Sequence, residues 1–408
     1  MRRLKVLLVL AIVCAVFCAD AYAFNINVRE IKFPTFGQPA FVKPGDEIKV
    51  ITTVPQAGVA ERALINSIDD GSNVARVGLG VKLAQGSNSF VVKTPLSIAP
   101  GLYDLCIDFK YGDFTDQDCQ PHAVSVVKSF DPPFTFGHIS DFHIGDPRAM
   151  RQFPGVDIDR VRTKSITVMN ERKPAFVLVT GDINAYPVSY DEDYPASADK
   201  LMSLPRVPFI VVPGNHDFYA SAVPEGEIKR DGTMYWPDFF GPRHRVLDYG
   251  PFRFICFDSY NWNEVPRIYT NEYHLANNTA KSHNGTLSRD EYKWVVGAMK
   301  TAGDRVLVLV SHHGPRQFEP IPQQWCKDCV GMSKFLRLIN KAGVAYYFYG
   351  HIHENTEYEE NGTKYISTTS VGSNCDKEQL WGVRMAHVNV NRKIDTEIIR
   401  LFDSPPMK

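Results

Sequence analysis

Five short segments of the chain share one hydrophobic pattern. Each is an apolar run of four to six residues that stops at a polar cluster containing Asp, Asn or His, and the runs cover 134–139, 176–180, 209–212, 306–310 and 345–349. Such runs are typical of buried strands in a parallel sheet. Helical patterns separate several of them, and the carboxyl ends of parallel strands lie along one edge of a sheet. The pattern therefore predicts an α/β region in which the five polar clusters converge.

Further elements are predicted between and after these strands. The apolar positions of residues 157–172 recur with helical spacing, and Ser288 with Glu291 forms a capping box that predicts a helix over 289–301. Residues 185–203 have a helical pattern only in their second half. Residues 260–287 are predicted to form a long polar loop, and hairpins are predicted within 241–259 and 356–369. Two further strands should close the domain.

Residues 24–129 have the pattern of a small all-β domain. Short alternating runs cover 47–53, 89–93, 102–109 and 123–127. Turn signals such as Pro100-Gly101 separate them, at a spacing typical of an immunoglobulin-like sandwich. Because catalytic residue types do not cluster in this stretch, we expect it to serve as a spacer or docking module. Asp131-Pro132-Pro133 marks the predicted boundary to a second domain, residues 130–408.

Residues 1–23 resemble a secretory signal peptide. A basic start is followed by an apolar run and by Ala21-x-Ala23, which suits cleavage after Ala23. The rival interpretation, a membrane anchor, is weaker because the apolar run is too short to span a bilayer comfortably, and no later stretch is long and apolar enough to do so. The net charge of −1 among 408 residues provides no patch to recruit nucleic acid or an anionic membrane. A soluble, secreted or periplasmic protein is predicted.

Six cysteines follow the predicted signal peptide, an even number that favours disulfides in an exported protein. Cys106 and Cys119 flank a candidate hairpin and are the expected pair. The other four, Cys256, Cys326, Cys329 and Cys375, allow three pairings. For Cys326-x-x-Cys329 we favour a structural disulfide over a redox-active pair or half of a zinc site. The N-glycosylation sequons are Asn277, Asn284 and Asn361.

The polar clusters after the five runs resemble a known family. In order they read Asp141-x-His143, Gly181-Asp182, Gly214-Asn215-His216-Asp217, His313-x-Pro315 and Gly350-His351-x-His353. They are similar to the five sequence blocks of the calcineurin-like metallophosphoesterases, a superfamily that includes purple acid phosphatases and cyclic-nucleotide phosphodiesterases. No block is specific alone, but five in this order form a strong signal. The resemblance covers residues 130–402 and implies a four-layer α/β (α+β) sandwich after the all-β domain.

The donors in these blocks suit two metal ions. Seven carboxylate, amide and imidazole groups exceed what one ion needs: Asp141, His143, Asp182, Asn215, His313, His351 and His353. The resemblance implies that Asp141, His143, Asp182 and His353 hold one ion. It implies that the bridging Asp182, with Asn215, His313 and His351, holds the other. His312 is left out because the family's ligand usually stands two residues before proline. Ligands without thiolate fit Zn, Mn or Fe.

The resemblance also implies a reaction. Metal-bound hydroxide would attack a phosphate mono- or diester while both ions neutralise the phosphoryl charge. His216 would protonate the leaving oxygen, with Asp217 orienting its ring. Purple acid phosphatases place a tyrosine ligand three residues after the bridging aspartate, whereas this chain has Ala185, which disfavours an iron–tyrosinate centre.

Two alternatives stay open at this point. One is a more specific enzyme, a cyclic-nucleotide or phospholipid phosphodiesterase. The other is a non-catalytic binding protein built on a phosphatase scaffold, against which the complete ligand set argues.

Overall fold

The computed structural model describes residues 27–222, 228–269 and 282–408. The predicted signal peptide and the sequon at Asn277 therefore lie outside the described residues. Within the described ranges, no helix has both the length and the apolar character needed to cross a membrane.

The N-terminal region is a two-sheet β-sandwich. Its strands are β1 (Ile31–Phe33), β2 (Ala40–Val42), β3 (Glu47–Val54), β4 (Gly58–Ser67), β5 (Asn73–Leu83), β6 (Gly86–Lys93), β7 (Gly101–Tyr111) and β8 (Phe114–Val126). One sheet has the order β1-β3-β6 and the other β2-β8-β7-β4-β5, and both contribute to one hydrophobic cluster. The all-β prediction is confirmed. Strands β1, β2, β4 and β5 were not predicted.

Two larger sheets form the second region. Their strands are β9 (Phe134–Ile139), β10 (Val177–Thr180), β11 (Phe209–Val212), β14 (Arg245–Tyr249), β15 (Phe252–Cys256), β17 (Val306–Val310), β18 (Tyr346–Tyr349), β19 (Glu357–Glu360), β20 (Thr363–Ser367), β21 (Gly382–Val388) and β22 (Ile394–Arg400). The orders are β11-β10-β9-β21-β22 and β14-β15-β17-β18-β20-β19. A small third sheet, β13-β12-β16, consists of β12 (Ala220–Ala222), β13 (Ile228–Asp231) and β16 (Ile268–Tyr269).

Seven α-helices are described in the second region, and four of them cover the outer faces of the two large sheets. The seven are α1 (Arg148–Gln152), α2 (Ile158–Arg172), α3 (Tyr190–Ser203), α4 (Gly232–Phe239), α5 (Glu264–Arg267), α6 (Arg289–Lys300) and α7 (Met332–Ala342). Helices α2 and α3 pack on the first sheet, whereas α6 and α7 pack on the second. The Ser288 hydroxyl accepts a hydrogen bond from the Glu291 amide, as the predicted N-cap requires. The short elements α5 and β16 lie in the stretch predicted to be a loop.

The five apolar runs divide between the two sheets, three in the first and two in the second. All five had been expected in one sheet, and this prediction is wrong. The sheets pack face to face through a core that contains Phe136 and Ile210 from one and Phe254 and Phe348 from the other. Successive strand residues point to opposite faces, so the alternate residues meet the helices. The result is the expected four-layer α-β-β-α sandwich.

The β-sandwich is attached to the second region by buried contacts. Phe36 belongs to the core beside α2 and α3, and its ring lies 6.3 Å from that of Phe209 in β11. The Val211 amide donates a 3.0 Å hydrogen bond to the Gly37 carbonyl. Phe41 packs edge-on against Tyr249 at a centroid distance of 5.7 Å. The segment between β1 and β2 is therefore part of the core that supports β11.

Two disulfides are present among the described residues. Cys106–Cys119 joins the paired strands β7 and β8, which confirms the predicted pair. Cys326–Cys329 is the second bridge, also as favoured from the sequence. Cys256 and Cys375 are buried free thiols, so of the four cysteines whose pairing the sequence left open only Cys326 and Cys329 form a bridge.

Candidate metal centre

Sharp turns at strand ends bring the polar clusters together. Five of the predicted ligands have a positive φ: Asp141 (59°), His143 (45°), Asp182 (51°), His351 (71°) and His353 (57°). Non-glycine residues rarely adopt this conformation, which costs about 1–3 kcal/mol each and persists where the surrounding structure enforces it. The backbone strain at these five residues therefore lies at the strand ends where polar residues from the two sheets meet.

Asp182 lies at the middle of the cluster. Its Oδ1 accepts a 2.8 Å hydrogen bond from the His216 amide, and its Oδ2 lies 3.5 Å from Nε2 of His143 and 3.2 Å from Nε2 of His312. A Cβ at Gly214 would come within 2.1 Å of Oδ1 of Asp182, so only glycine fits there. Asp182 thus faces histidines from both sheets.

One donor group surrounds Asp141. Its Oδ1 lies 3.6 Å from Nε2 of His143 and 3.3 Å from Nε2 of His353, and these two nitrogens are 3.2 Å apart. Among the described residues this buried oxygen has no hydrogen bond of good geometry. Burial alone would raise the pKa of Asp141, but the neighbouring histidines hold it well below its ordinary value.

A second donor group surrounds Asn215. Its Oδ1 lies 3.0 Å from Nε2 of His312 and 3.1 Å from Nδ1 of His351, and these two nitrogens are 3.2 Å apart. Burial and the charge of His312 lower the pKa of His351 to about 3, which favours its neutral, ligating form. Although burial opposes it, the Asp182 carboxylate raises the pKa of His312 to about 9, so the site attracts positive charge.

His312 and His313 have different surroundings. The ring of His312 has Nδ1 2.7 Å from the Thr180 carbonyl, which fixes a tautomer whose Nε2 faces Asp182 and Asn215. His313 places Nε2 2.9 Å from the His283 carbonyl and Nδ1 2.9 Å from the Ser259 hydroxyl. Its ring still lies beside His351, at a centroid distance of 4.3 Å. The donor atoms of His312, His313 and His351 lie within 4.8 Å of one another, so the structure brings all seven predicted ligands into one cluster and adds His312, which the sequence analysis left out.

His216 lies beside His143 and Asp182, and its ring is held by a backbone carbonyl. Its Nδ1 lies 2.5 Å from the Ala185 carbonyl, and its ring centroid is 4.6 Å from that of His143. Asp217 accepts hydrogen bonds from the backbone amides of residues 183, 184 and 214. Burial and the nearby Asp182 raise the pKa of Asp217 to about 7. The predicted contact between Asp217 and the His216 ring is therefore corrected: Asp217 ties two ligand-bearing loops together.

The donor set passes a simple test of fit for metal ions. Carboxylate, amide and imidazole groups from the ends of five strands converge, and the ligand atoms in each group of three carboxylates and imidazoles lie within 4.8 Å of one another. Imidazole nitrogens 3.2 Å apart and an unsatisfied buried carboxylate oxygen are costly without a cation between them. The fold is that of a metallophosphoesterase, and the donor set is consistent with a dinuclear metal site.

Sequence and structure comparisons agree with this class. The model of the calcineurin-like phosphoesterase family matches residues 134–355, more than half of the chain. The chain belongs to this family. No curated protein sequence matches it significantly.

Solved structures show the fold at low sequence identity. A purple acid phosphatase, PPD1, isolated from yellow lupin (Lupinus luteus) seeds is 12% identical, with a TM-score of 0.52 over 94% of this chain and 73% of the lupin chain. It shares the all-β region that precedes the α/β sandwich. A dimetal phosphatase from Danio rerio is 15% identical, with a TM-score of 0.43 over 67% of this chain and 100% of the other.

Proposed function

We propose that this protein is a phosphoesterase that hydrolyses phosphate mono- or diesters at a dinuclear metal centre. The observation that carries the proposal is the convergence of Asp141, Asp182 and Asn215 with histidines from both sheets. Each member of the donor set is present and is buried or nearly buried. Catalysis would require the complete set, whereas a scaffold kept only for binding would not.

We assign the donors to two ions. Asp141, His143, Asp182 and His353 would hold one, and Asp182, Asn215, His312 and His351 the other. This assignment replaces His313 with His312, because the ring nitrogens of His313 are directed at Ser259 and the His283 carbonyl. Two such cations, when bound, lower the pKa of coordinated water and neutralise charge on the phosphoryl group.

His216 is assigned the delivery of a proton to the leaving oxygen. The Ala185 carbonyl accepts from Nδ1 and fixes the ring, which leaves Nε2 to face the substrate. Burial lowers the pKa of His216 well below its ordinary value, so Nε2 has to take up a proton when the substrate binds before it can deliver one. The negative charge of Asp182 raises the pKa of His216, and the negative charge of a bound phosphoester would raise it further.

Export is the other part of the proposal. Two disulfides among the described residues support an oxidising compartment, as does the signal-like segment 1–23. We propose residues 24–129 and 130–408 as the two domains of the mature protein. All of the assigned donors belong to residues 130–408.

The test uses the protein stripped of metal and reloaded with Zn, Mn or Fe. Turnover of 4-nitrophenyl phosphate and its diester is expected only after reloading. His216→Ala should reduce kcat/KM by ~10²–10⁴-fold for an alkyl phosphate, whose leaving group needs a proton, and much less for the nitrophenyl ester. The exposed His387→Ala is the matched control. A fully metal-loaded protein that hydrolyses none of these esters would refute the proposal.

A further inference from the structure

Arg148 places a guanidinium group at the edge of the metal centre. It lies at the start of α1, and its side chain keeps 32% of its surface exposed. Its Nη2 is 3.3 Å from Nδ1 and 3.5 Å from Nε2 of His143. That Nε2 is the nitrogen that faces Asp141 and Asp182 at 3.6 and 3.5 Å. The positive group is therefore adjacent to the donor cluster and also reaches the solvent.

A buried carboxylate fixes the orientation of this arginine. The side chain of Asp146 is fully buried. Its Oδ2 accepts a 2.7 Å hydrogen bond from Nε of Arg148, and its Oδ1 accepts a 2.8 Å hydrogen bond from the Arg148 backbone amide. The Ser373 hydroxyl also donates to Asp146. With Nε bound in this way, Nη2 is directed at His143 rather than left to sample the solvent. A guanidinium held in one orientation suits the recognition of a phosphate oxygen.

Arg148 is also close to the proposed proton donor. The ring of His143, which the guanidinium contacts, has its centroid 4.6 Å from that of His216. The guanidinium therefore lies near both the donor cluster and His216. The hydrogen bonds described for this guanidinium use Nε and Nη2.

We propose that Arg148 binds a terminal phosphoryl oxygen of the substrate and makes the centre selective for phosphate monoesters. The inference rests on the proposed phosphoesterase function. A monoester dianion carries three terminal oxygens, so two can face the metal ions while the third accepts from the guanidinium. In a diester the corresponding oxygen carries a second organic group, which removes both the charge and the acceptor. Charge-assisted hydrogen bonds of this kind are about twice as strong as neutral ones.

The experiment compares two esters in three variants. Arg148→Met should lose about 10- to 100-fold in kcat/KM for 4-nitrophenyl phosphate and less than about 3-fold for methyl 4-nitrophenyl phosphate. Arg148→Lys keeps the charge without the planar fork and should recover part of the monoester loss. Arg151→Met, an exposed residue of the same helix, should change neither rate. Metal content and thermal unfolding are measured for every variant, so that a folding defect is recognised.

Calorimetric titration with inorganic phosphate separates this inference from the proposed function. Phosphate should bind metal-loaded Arg148→Met about 10-fold or more weakly than the wild type, even if the protein hydrolyses neither ester. Absence of turnover together with this affinity loss would refute the phosphoesterase function and leave the phosphate site in place. Equal losses for both esters, or an unchanged phosphate affinity, would overturn the role of Arg148. So would wild-type protein that does not bind phosphate.

Discussion

Removing the hydroxyl group of Tyr219 should weaken the binding of one metal ion. The Tyr219 hydroxyl accepts from Nδ2 of Asn215 at 2.6 Å, and it lies 2.6 Å from Nδ1 of His283. An amide side chain can present either its oxygen or its nitrogen, and this contact keeps the oxygen of Asn215 directed at His312 and His351. Tyr219→Phe retains the ring but removes the acceptor that sets this orientation.

The magnitude follows from the value of one hydrogen bond. Such a bond contributes about 0.5–1.5 kcal/mol net, and a loss of that size allows the amide to flip part of the time. Since ~1.4 kcal/mol corresponds to a factor of ten, the ion held by Asn215 should bind about 2- to 10-fold more weakly. The ion assigned to Asp141, His143 and His353 should keep its affinity.

Competition with a fluorescent chelator measures the two binding steps separately. The matched control is Tyr260→Phe, which removes a buried hydroxyl bonded to the Ser282 carbonyl at 2.7 Å but touches no amide ligand. Both variants should lose thermal stability, whereas only Tyr219→Phe should weaken one metal-binding step. If both steps are unchanged, or both variants weaken them equally, Tyr219 does not orient Asn215.

Two further predictions concern the ligand assignment and the attachment of the β-sandwich. His312→Ala should lose about one equivalent of metal on elemental analysis, whereas His313→Ala should retain both; the opposite result would restore the assignment made from the sequence. Phe36→Ala should lower the free energy of unfolding by about 3–5 kcal/mol in denaturant titrations, because a fully buried ring between the two regions is removed. The exposed Phe114→Ala is its control and should cost less than about 0.5 kcal/mol; similar costs for both would show that Phe36 does not anchor the sandwich.

The sequence by itself determined the local structure around the candidate site. Strands β9, β11 and β17 have the predicted bounds, because an apolar run of only four to six residues that stops at turn residues favours a buried strand over a helix. The N-cap at Ser288 was equally evident, since its signal lies within four consecutive residues. Strand β5 escaped prediction because its pattern contains Gly78 and Gly80 and many exposed positions.

Only the tertiary structure decided which strands share a sheet and which side chains meet. The apolar pattern of a segment indicates that a strand is buried, but it does not indicate which strands lie beside it. The division into two sheets could therefore not be predicted from the sequence. His312 and His313 are adjacent and chemically identical, and they differ only in what lies around each ring: Asp182 and Asn215 for one, Ser259 for the other. Those partners come from distant parts of the chain, and their positions follow from packing rather than from local sequence.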